Sequence, residues 1–175
     1  MSRCTTTTIN GQSCVVCTEQ PYIAPVPAQT IIDPNIGWNS SAYSAANISG
    51  DCYTQFMLPD CIGTVVGLAP DRTSNDPRDI PHGFYIYEAG GRRLWSVSEG
   101  GVEKTTPVVR VAGTDVFRIE RRERTVSYFH NGKRVYVSDL PSVGDLVVTV
   151  CMYVAYDAAP APADFWTGLA NCEIA

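Results

Sequence analysis

The chain has 175 residues, 45% of them hydrophobic and 18% charged, so it can fill a core and is not disordered by composition. This length suits one domain with an appendage and excludes a large multidomain enzyme. The formal net charge of -5 argues against a nucleic-acid-binding surface and against a polybasic membrane patch. Fourteen Gly and twelve Pro are typical of an all-β protein, and the odd number of cysteines, seven, leaves at least one unpaired within a monomer.

Residues 1–36 differ in composition from the rest of the chain. They hold a run of threonines, three cysteines and four prolines, without apolar periodicity. We predict an extended anchoring arm over residues 1–36, followed by a β-sandwich over residues 37–175. The first residues lack the apolar stretch of a signal peptide, and the longest apolar run, 146–155, is too short to cross a bilayer. We therefore expect synthesis in the cytoplasm and no membrane insertion.

From Trp38 onward, short β-rich runs alternate with turn residues, and no segment has a convincing helical stripe. This spacing predicts an all-β fold, a two-sheet antiparallel β-sandwich of the jelly-roll type. The predicted strands lie near 43–48, 51–58, 62–69, 82–88, 93–98, 108–111, 115–121, 124–130, 133–138, 145–157 and 167–173.

The segment 115–138 is predicted in most detail. Asn131-Gly132 is a strong signal for a two-residue hairpin turn, which pairs Tyr128 with Val135. A second turn, centred on Arg122-Glu123, pairs Ile119 with Val126. Since side chains alternate along a strand, both registers define one apolar and one outward face. The apolar face consists of Phe117, Ile119, Val126, Tyr128, Val135 and Val137, and the outward face of Arg118, Glu120, Ser127, Phe129, Arg134 and Tyr136.

Nine Tyr, three Trp and five Phe supply material for a sugar- or protein-binding face. The outward aromatic–cation group is one candidate, and two aromatic strand residues on 82–88 and 93–98 are others. The candidate ligand-binding residues are Phe129, Arg134, Tyr136, Tyr85 and Trp95. The alternative is that most aromatic side chains are core residues, or that another layer or subunit covers them.

Three cysteines, Cys4, Cys14 and Cys17, cluster in the arm. A disulfide within the arm or between chains, a metal completed by another chain, and unmodified thiols are the alternatives, since a closed zinc site needs a fourth ligand. We predict that Cys14 and Cys17 bond covalently or share a structural metal, which would fix the arm. No other cofactor is expected.

Four further cysteines form two candidate disulfide pairs. Cys52 and Cys61 flank one strand and its turn, and Cys151 and Cys172 lie in two late strands. Each of these cysteines is equally well interpreted as a small buried residue, which unpaired cysteine often is.

Several short sequence motifs, taken together with their order along the chain, resemble those of a known group of proteins. Among them are Gly37-Trp38-Asn39, Ile80-Pro-His-Gly-Phe84 and Val126-Ser-Tyr-Phe-His-Asn-Gly132. Over residues 37–157 the chain resembles concanavalin A-like (laminin-G/SPRY-like) jelly-roll modules, and more narrowly those of tail-tip, baseplate and fibre proteins of long-tailed bacteriophages. Such modules often follow a Cys/Thr-rich and Pro-rich arm.

This resemblance implies a virion structural protein of the phage tail that binds a host-surface glycan or protein. The arm would dock onto other tail proteins, and the chain would form a homo-oligomer in the particle, without nucleic acid. Two alternatives remain open. One is an architectural tail or capsid decoration protein without a receptor, and the other is a carbohydrate-active enzyme or a secreted lectin.

An enzyme is disfavoured by the motifs. Retaining glucanases of this architecture use a carboxylate triplet, E-x-D-x-x-E, because their chemistry needs two carboxyl groups close together on one strand face. The chain has no such triplet, no Gly-x-Ser-x-Gly elbow and no phosphate-binding glycine loop. The acidic stretch 70–79 is interpreted as a surface loop rather than a calcium site. We therefore predict a protein that is not an enzyme.

Overall fold

The structure is a computed structural model, in which side chains are described only between residues 37 and 153. The described residues are 3–9, 12–18, 23–24, 37–38, 40–44, 47–58, 61, 63–70, 75–110, 113–153 and 165–169. They are almost entirely β, with one 3-10 turn at Pro77–Asp79. The strands are β1 Arg3–Ile9, β2 Gln12–Thr18, β3 Ile23–Ala24, β4 Ser40–Ser44, β5 Cys52–Phe56, β6 Gly63–Ala69, β7 His82–Ala89, β8 Arg92–Glu99, β9 Val102–Glu103, β10 Val108–Val109, β11 Phe117–Arg122, β12 Thr125–His130, β13 Lys133–Val137, β14 Val147–Met152 and β15 Phe165–Leu169.

Two antiparallel sheets form the sandwich. The larger has eight strands in the order β10-β8-β7-β6-β14-β4-β3, with β9 also paired to β8, and the smaller has five in the order β13-β12-β11-β5-β15. Their facing sides share one apolar core. The predicted all-β fold, a two-sheet antiparallel β-sandwich of the jelly-roll type, is therefore confirmed.

An aromatic cluster joins the two sheets at the centre of the core. The ring of Phe84, on β7, lies 5.0 Å from that of Phe117 and 5.4 Å from that of Tyr128, both on the smaller sheet. Phe56 and Trp95 complete the contacts, with ring centroids 6.3 and 5.8 Å from that of Phe84. Phe84 therefore holds both sheets through tilted and edge-to-face packing, which is favourable for aromatic pairs.

A buried arginine connects two loops to the smaller sheet. Arg121 follows Phe117 and Ile119 on the inner face of β11 and is only 2% exposed. Its guanidinium donates to the carbonyl oxygen of Gly50 at 2.6 and 2.9 Å and to that of Gly144 at 2.7 Å. These hydrogen bonds satisfy a charge that would be costly to bury otherwise.

The turn at Asn131-Gly132 is confirmed, but the predicted register beyond it is wrong. Both residues have positive φ, 50° and 77°, as the two-residue hairpin requires. The register between β12 and β13 then shifts between Tyr128 and Phe129, so that Tyr128 pairs with Tyr136 instead of Val135. Such a β-bulge adds one residue to one strand and moves the residues beyond it to the other face. Tyr136 therefore contacts the core, while Val137 is 40% exposed.

The second predicted turn is displaced by one residue. Arg122 pairs with Thr125, and Glu123 has a φ of 53°, so the turn is at Glu123-Arg124. Ile119 consequently pairs with Tyr128 rather than Val126. A shift of two positions in pairing keeps every side chain on its face, and the predicted apolar set Phe117, Ile119, Val126 and Tyr128 is fully buried.

The predicted arm contains three strands. β1 and β2 pair with each other as a hairpin, and β3 pairs with β4 at the edge of the larger sheet. Part of the predicted arm therefore has regular β-structure. Its third strand, β3, belongs to the larger sheet of the sandwich. The division at residue 36 and the docking role of the arm stay predictions.

Of the two interpretations of Cys52 and Cys61, the structure does not contain the candidate disulfide. Both residues are buried thiols, and the Cys61 thiol lies 3.8 Å from the carbonyl oxygen of Ile86. The alternative interpretation as small buried residues applies to them. Burial raises the pKa of the Cys52 thiol and raises that of Cys151 to about 12. Cys172 lies outside the described residues, so its predicted pairing with Cys151 stays a prediction.

Candidate binding site

The outer face of the larger sheet carries two stacked tyrosines. On β7, Phe84 and Ile86 are buried in the core, while Tyr85 and Tyr87 lie on the opposite face, as predicted from alternation. The rings of Tyr85 and Tyr87 stack with centroids 4.3 Å apart and an interplanar angle of 19°. The Tyr87 hydroxyl donates to Oε2 of Glu103 at 3.3 Å. This face is therefore aromatic and carries polar groups at its margin.

Glycines on adjacent strands let a loop pack closely on this face. Gly67 on β6 pairs with Gly83 on β7, and Ile80, directly after the 3-10 turn, lies over them. A Cβ placed on Gly67 would lie 2.5 Å from Cγ2 of Ile80 and 2.1 Å from the carbonyl oxygen of His82. The absence of a side chain at Gly67 is thus what allows residues 75–80 to approach the sheet.

Trp38 extends the aromatic face toward that loop. Its indole lies 5.9 Å from the ring of Tyr85 and 5.5 Å from that of Tyr153, and all of these residues are half-buried. We call Trp38, Tyr85, Tyr87 and Tyr153 the outer aromatic cluster. Two of its members, Trp38 and Tyr85, pack against a small second core of Val65, Ile80 and Cys151.

An open cavity of about 560 Å³ lies beside this cluster. Its lining residues are Trp38, Asn75, Asp76, Pro77, Arg78 and Gly101. A volume of this size falls in the usual range for small-molecule sites, in which apolar walls are combined with a few polar groups. Trp38 is the residue that belongs to both the outer aromatic cluster and the cavity.

The polar wall of the cavity is an ion pair. Nε of Arg78 lies 2.9 Å from both carboxylate oxygens of Asp76, and the backbone N–H of Arg78 donates to the same carboxylate. Hydrogen bonds from Arg78 lower the pKa of Asp76 to about 2. Burial raises the pKa of Tyr85 to about 12. At neutral pH the site therefore has two paired opposite charges and a neutral phenol.

The sequence-predicted ligand residues lie in three places. Tyr85 belongs to the outer aromatic cluster, whereas Trp95 is 3% exposed and packs in the core. Phe129 and Arg134 are register partners on β12 and β13, at the outward face of the smaller sheet. Phe129 is half-buried and Arg134 is exposed. The bulge separates Tyr136 from them, so the predicted aromatic–cation group of three residues is not formed as a unit.

The sequence interpretation missed Trp38 and the loop 75–78 as site residues. They are far apart in the chain and meet only because the loop folds back onto β6 and β7. One available signal was the pair Gly67 and Gly83, since glycine within a strand often marks a close backbone approach.

A second polar group lies inside the core and bridges the sheets. The Tyr128 hydroxyl donates to Oε1 of Glu99 at 3.0 Å, and Nδ1 of His82 lies 3.4 Å from that hydroxyl and 3.6 Å from Oε1. All three residues are at most 3% exposed. Burial lowers the pKa of His82, although Glu99 opposes this shift and Arg121 adds to it. Burial also raises the pKa of Tyr128 well above its usual range.

This cluster predicts that acid weakens the fold. As the pH falls through 6.5, the usual pKa of histidine, the unfolded chain takes up the His82 proton before the folded chain does. The free energy of unfolding should fall by up to about 1.4 kcal/mol per pH unit until the folded His82 also titrates. Urea unfolding between pH about 7.5 and about 5 measures this slope.

A matched histidine serves as the control for that prediction. His82→Gln should flatten the decline, while His130→Gln, at the half-buried second histidine, should retain it. A decline that is unchanged in His82→Gln would contradict the assignment. The slope is informative even where the substitution lowers the stability at every pH.

Among the described residues no group of three or more His, Cys, Asp or Glu side chains is placed to hold a metal ion. Asp71 lies outside them, and the Asp76 carboxylate instead accepts hydrogen bonds from Arg78. Within the same part of the chain, no helix has the length and hydropathy needed to span a bilayer.

Comparison with known proteins gives matches of fold only. No protein-family model and no curated protein sequence matches the chain. The SPRY domain of human HERC1 is similar at 16% identity and a TM-score of 0.45, over 97% of this chain and 94% of that one. The galectin LEC-6 of Caenorhabditis elegans is similar at 15% identity and a TM-score of 0.37, over 68% of this chain and 91% of that one.

Enzymes also occur among the similar structures. The alginate lyase from Corynebacterium sp. is 10% identical with a TM-score of 0.45, and the match covers 76% of this chain and 66% of the lyase. The chain thus spans slightly less than two thirds of that enzyme. A fold does not by itself assign an activity, and these similarities assign none to the chain.

Proposed function

We propose that this protein is a non-enzymatic glycan-binding module, and that its ligand lies against the outer aromatic cluster in the cavity beside Trp38. The observation that carries this proposal is the position of Trp38, which lines the cavity together with the Asp76–Arg78 pair. A sugar ring offers an apolar C–H face, which stacks on an aromatic ring, and hydroxyl groups, which bond to charged side chains.

Among the described residues, the buried pair His82 and Glu99 is not part of the lining of this cavity. His82 and Glu99 lie in the core and are at most 3% exposed. Asp76 has its pKa lowered to about 2, so its carboxylate is a poor general base near neutral pH. These observations favour binding over catalysis.

The virion assignment rests on the sequence resemblance. In this proposal the chain is a structural protein of a phage tail, with a tip, baseplate or fibre position, and the glycan belongs to the host surface. Residues 1–36 dock onto other tail proteins, since extended segments add main-chain pairing to an existing assembly. Immunogold labelling of particles tests this part, because a shell or tube position would instead favour an architectural decoration protein.

The binding proposal is tested on a glycan array. The wild-type chain should bind a subset of glycans, and Trp38→Ala should weaken binding to them about tenfold or more, because a buried aromatic contact is worth at least about 1.4 kcal/mol. Tyr53→Ala is the matched control, since Tyr53 is a half-buried tyrosine of the smaller sheet that packs under Arg118. Equal loss in both variants, or no binding by the wild type, would contradict the proposal.

A further inference from the structure

The hairpin near the start of the chain places two cysteines opposite each other. β1 and β2 pair antiparallel, and Cys4 is the register partner of Cys17. The closing pair is Ile9 with Gln12, so two residues, Asn10-Gly11, separate the strands. Asn-Gly is the favoured sequence for a two-residue hairpin turn, so the sequence independently supports this register.

The kind of pair can be derived from the turn. In a two-residue hairpin the closing pair exchanges both hydrogen bonds, and hydrogen-bonded and non-hydrogen-bonded pairs alternate along the ladder. Counting from residue 9 back to residue 4 gives five steps, so Cys4 and Cys17 form a non-hydrogen-bonded pair. The Cα atoms of such pairs are about 4.5 Å apart, within the range of about 4.4–6.8 Å that a disulfide requires.

The third cysteine of the arm occupies a different position. Cys14 pairs with Thr7 and is three residues from Cys17. Three residues along a strand span about 10 Å and place the two positions on opposite faces, whereas a disulfide requires Cα atoms within about 7 Å. This register is incompatible with the bond or shared metal predicted between Cys14 and Cys17.

We propose that Cys4 and Cys17 form a disulfide that closes the hairpin, and that Cys14 keeps its thiol. The oxidant is a small-molecule disulfide such as oxidised glutathione. One cysteine thiolate attacks it and releases a first glutathione thiol, and the second cysteine thiolate then displaces the other. The two cysteines are oxidised, the oxidant is reduced to two thiols, and the two protons lost by the cysteines are taken up by the leaving groups. Since the cytoplasm keeps thiols reduced, the bond forms after the chain leaves it.

The test uses the full chain, purified with reductant, oxidised by glutathione disulfide and then alkylated with N-ethylmaleimide in denaturant. Cleavage after Glu19 releases residues 1–19, which contain the three cysteines of the arm. Mass spectrometry should show one label, on Cys14, and a fragment two hydrogens lighter than the same fragment with one label and two free thiols. Cleavage of the Asn10–Gly11 bond by hydroxylamine should leave two pieces joined until reductant is added.

Variants and a denatured control separate the alternatives. Cys14→Ser should keep the link, and Cys4→Ser and Cys17→Ser should each abolish it. Oxidation in guanidinium should give a mixture of pairings, because the unfolded chain has no register to select one. Labelling of Cys4 or Cys17 in the folded wild type, a bond to Cys14, or bound zinc that protects these thiols before oxidation would overturn the proposal. None of these results depends on glycan binding.

Discussion

Phe84→Ala is expected to lower the free energy of unfolding by about 4 kcal/mol, because it removes a fully buried ring and leaves a cavity between the sheets. The loss of stability is large because four aromatic rings contact Phe84, and they cannot all move to fill the cavity that its removal leaves. Domains are typically stable by only about 5–15 kcal/mol, so the variant should be close to unfolding at ambient temperature. Urea unfolding followed by far-ultraviolet circular dichroism measures the change.

Phe129→Ala is the matched control for this experiment. Phe129 is half-buried on the outward face of β12 and is absent from the core clusters. Its removal should cost about 1 kcal/mol, the central value for point substitutions, because the ring is only half-buried. Equal effects at both positions would mean that the core is not organised around Phe84.

Gly67→Ala is expected to destabilise the protein by about 2–3 kcal/mol and to displace residues 75–80 from the sheet. The added Cβ would meet the carbonyl oxygen of His82 at 2.1 Å and Cα of Gly83 at 2.9 Å, and backbone atoms cannot turn away as a flexible side chain can. Since Ile80 lies over Gly67, the shift should also alter the cavity beside Trp38. Thermal unfolding and the fluorescence of Trp38 report the two effects.

Gly37→Ala provides the control, because a Cβ on Gly37 would meet nothing within 4 Å. Replacing glycine by alanine at such an open position changes mainly the entropy of the unfolded chain, by a few tenths of a kcal/mol to about 1 kcal/mol. A Gly67→Ala protein as stable as Gly37→Ala would contradict the close packing of the loop on the sheet.

The alternation of side chains made the fold predictable. Strand periodicity placed Phe117, Ile119 and Tyr128 on one face of the smaller sheet, and this assignment survived a two-position error in pairing. It survives because pairing shifts of two residues preserve the face, whereas a shift of one reverses it. The bulge beside Phe129 produces that reversal, and its location depends on packing that a turn signal does not encode.

The dipeptide Asn-Gly separates the paired strands of two hairpins in this chain. Around Asn131-Gly132 the flanking residues alternate and predict the hairpin, whereas the threonines and cysteines around Asn10-Gly11 lack an apolar face. Because residues 3–18 lack an alternation of apolar and polar side chains, periodicity gives no signal for this hairpin.

The candidate site was less predictable than the fold. Trp38 precedes β4, the Asp76–Arg78 pair follows β6, and Gly101 lies in the turn after β8. Hairpin pairing rules predict contacts only between segments that follow each other in the chain. These three segments are far apart in the sequence and meet at the outer face of the larger sheet. Tyr85 alone was found, because its strand alternation could be derived locally.

Binding at Trp38 is tested most directly by nuclear magnetic resonance of the tryptophan indole N–H groups during titration with a glycan that binds on the array. The chain has three tryptophans, so the spectrum has few signals, and substitution of each assigns them. The Trp38 signal should shift in proportion to saturation, while that of Trp95, buried in the core, should stay in place. A ligand that leaves the Trp38 signal unchanged and instead moves the backbone amides of Phe129 and Arg134 would place binding on the smaller sheet and contradict the account.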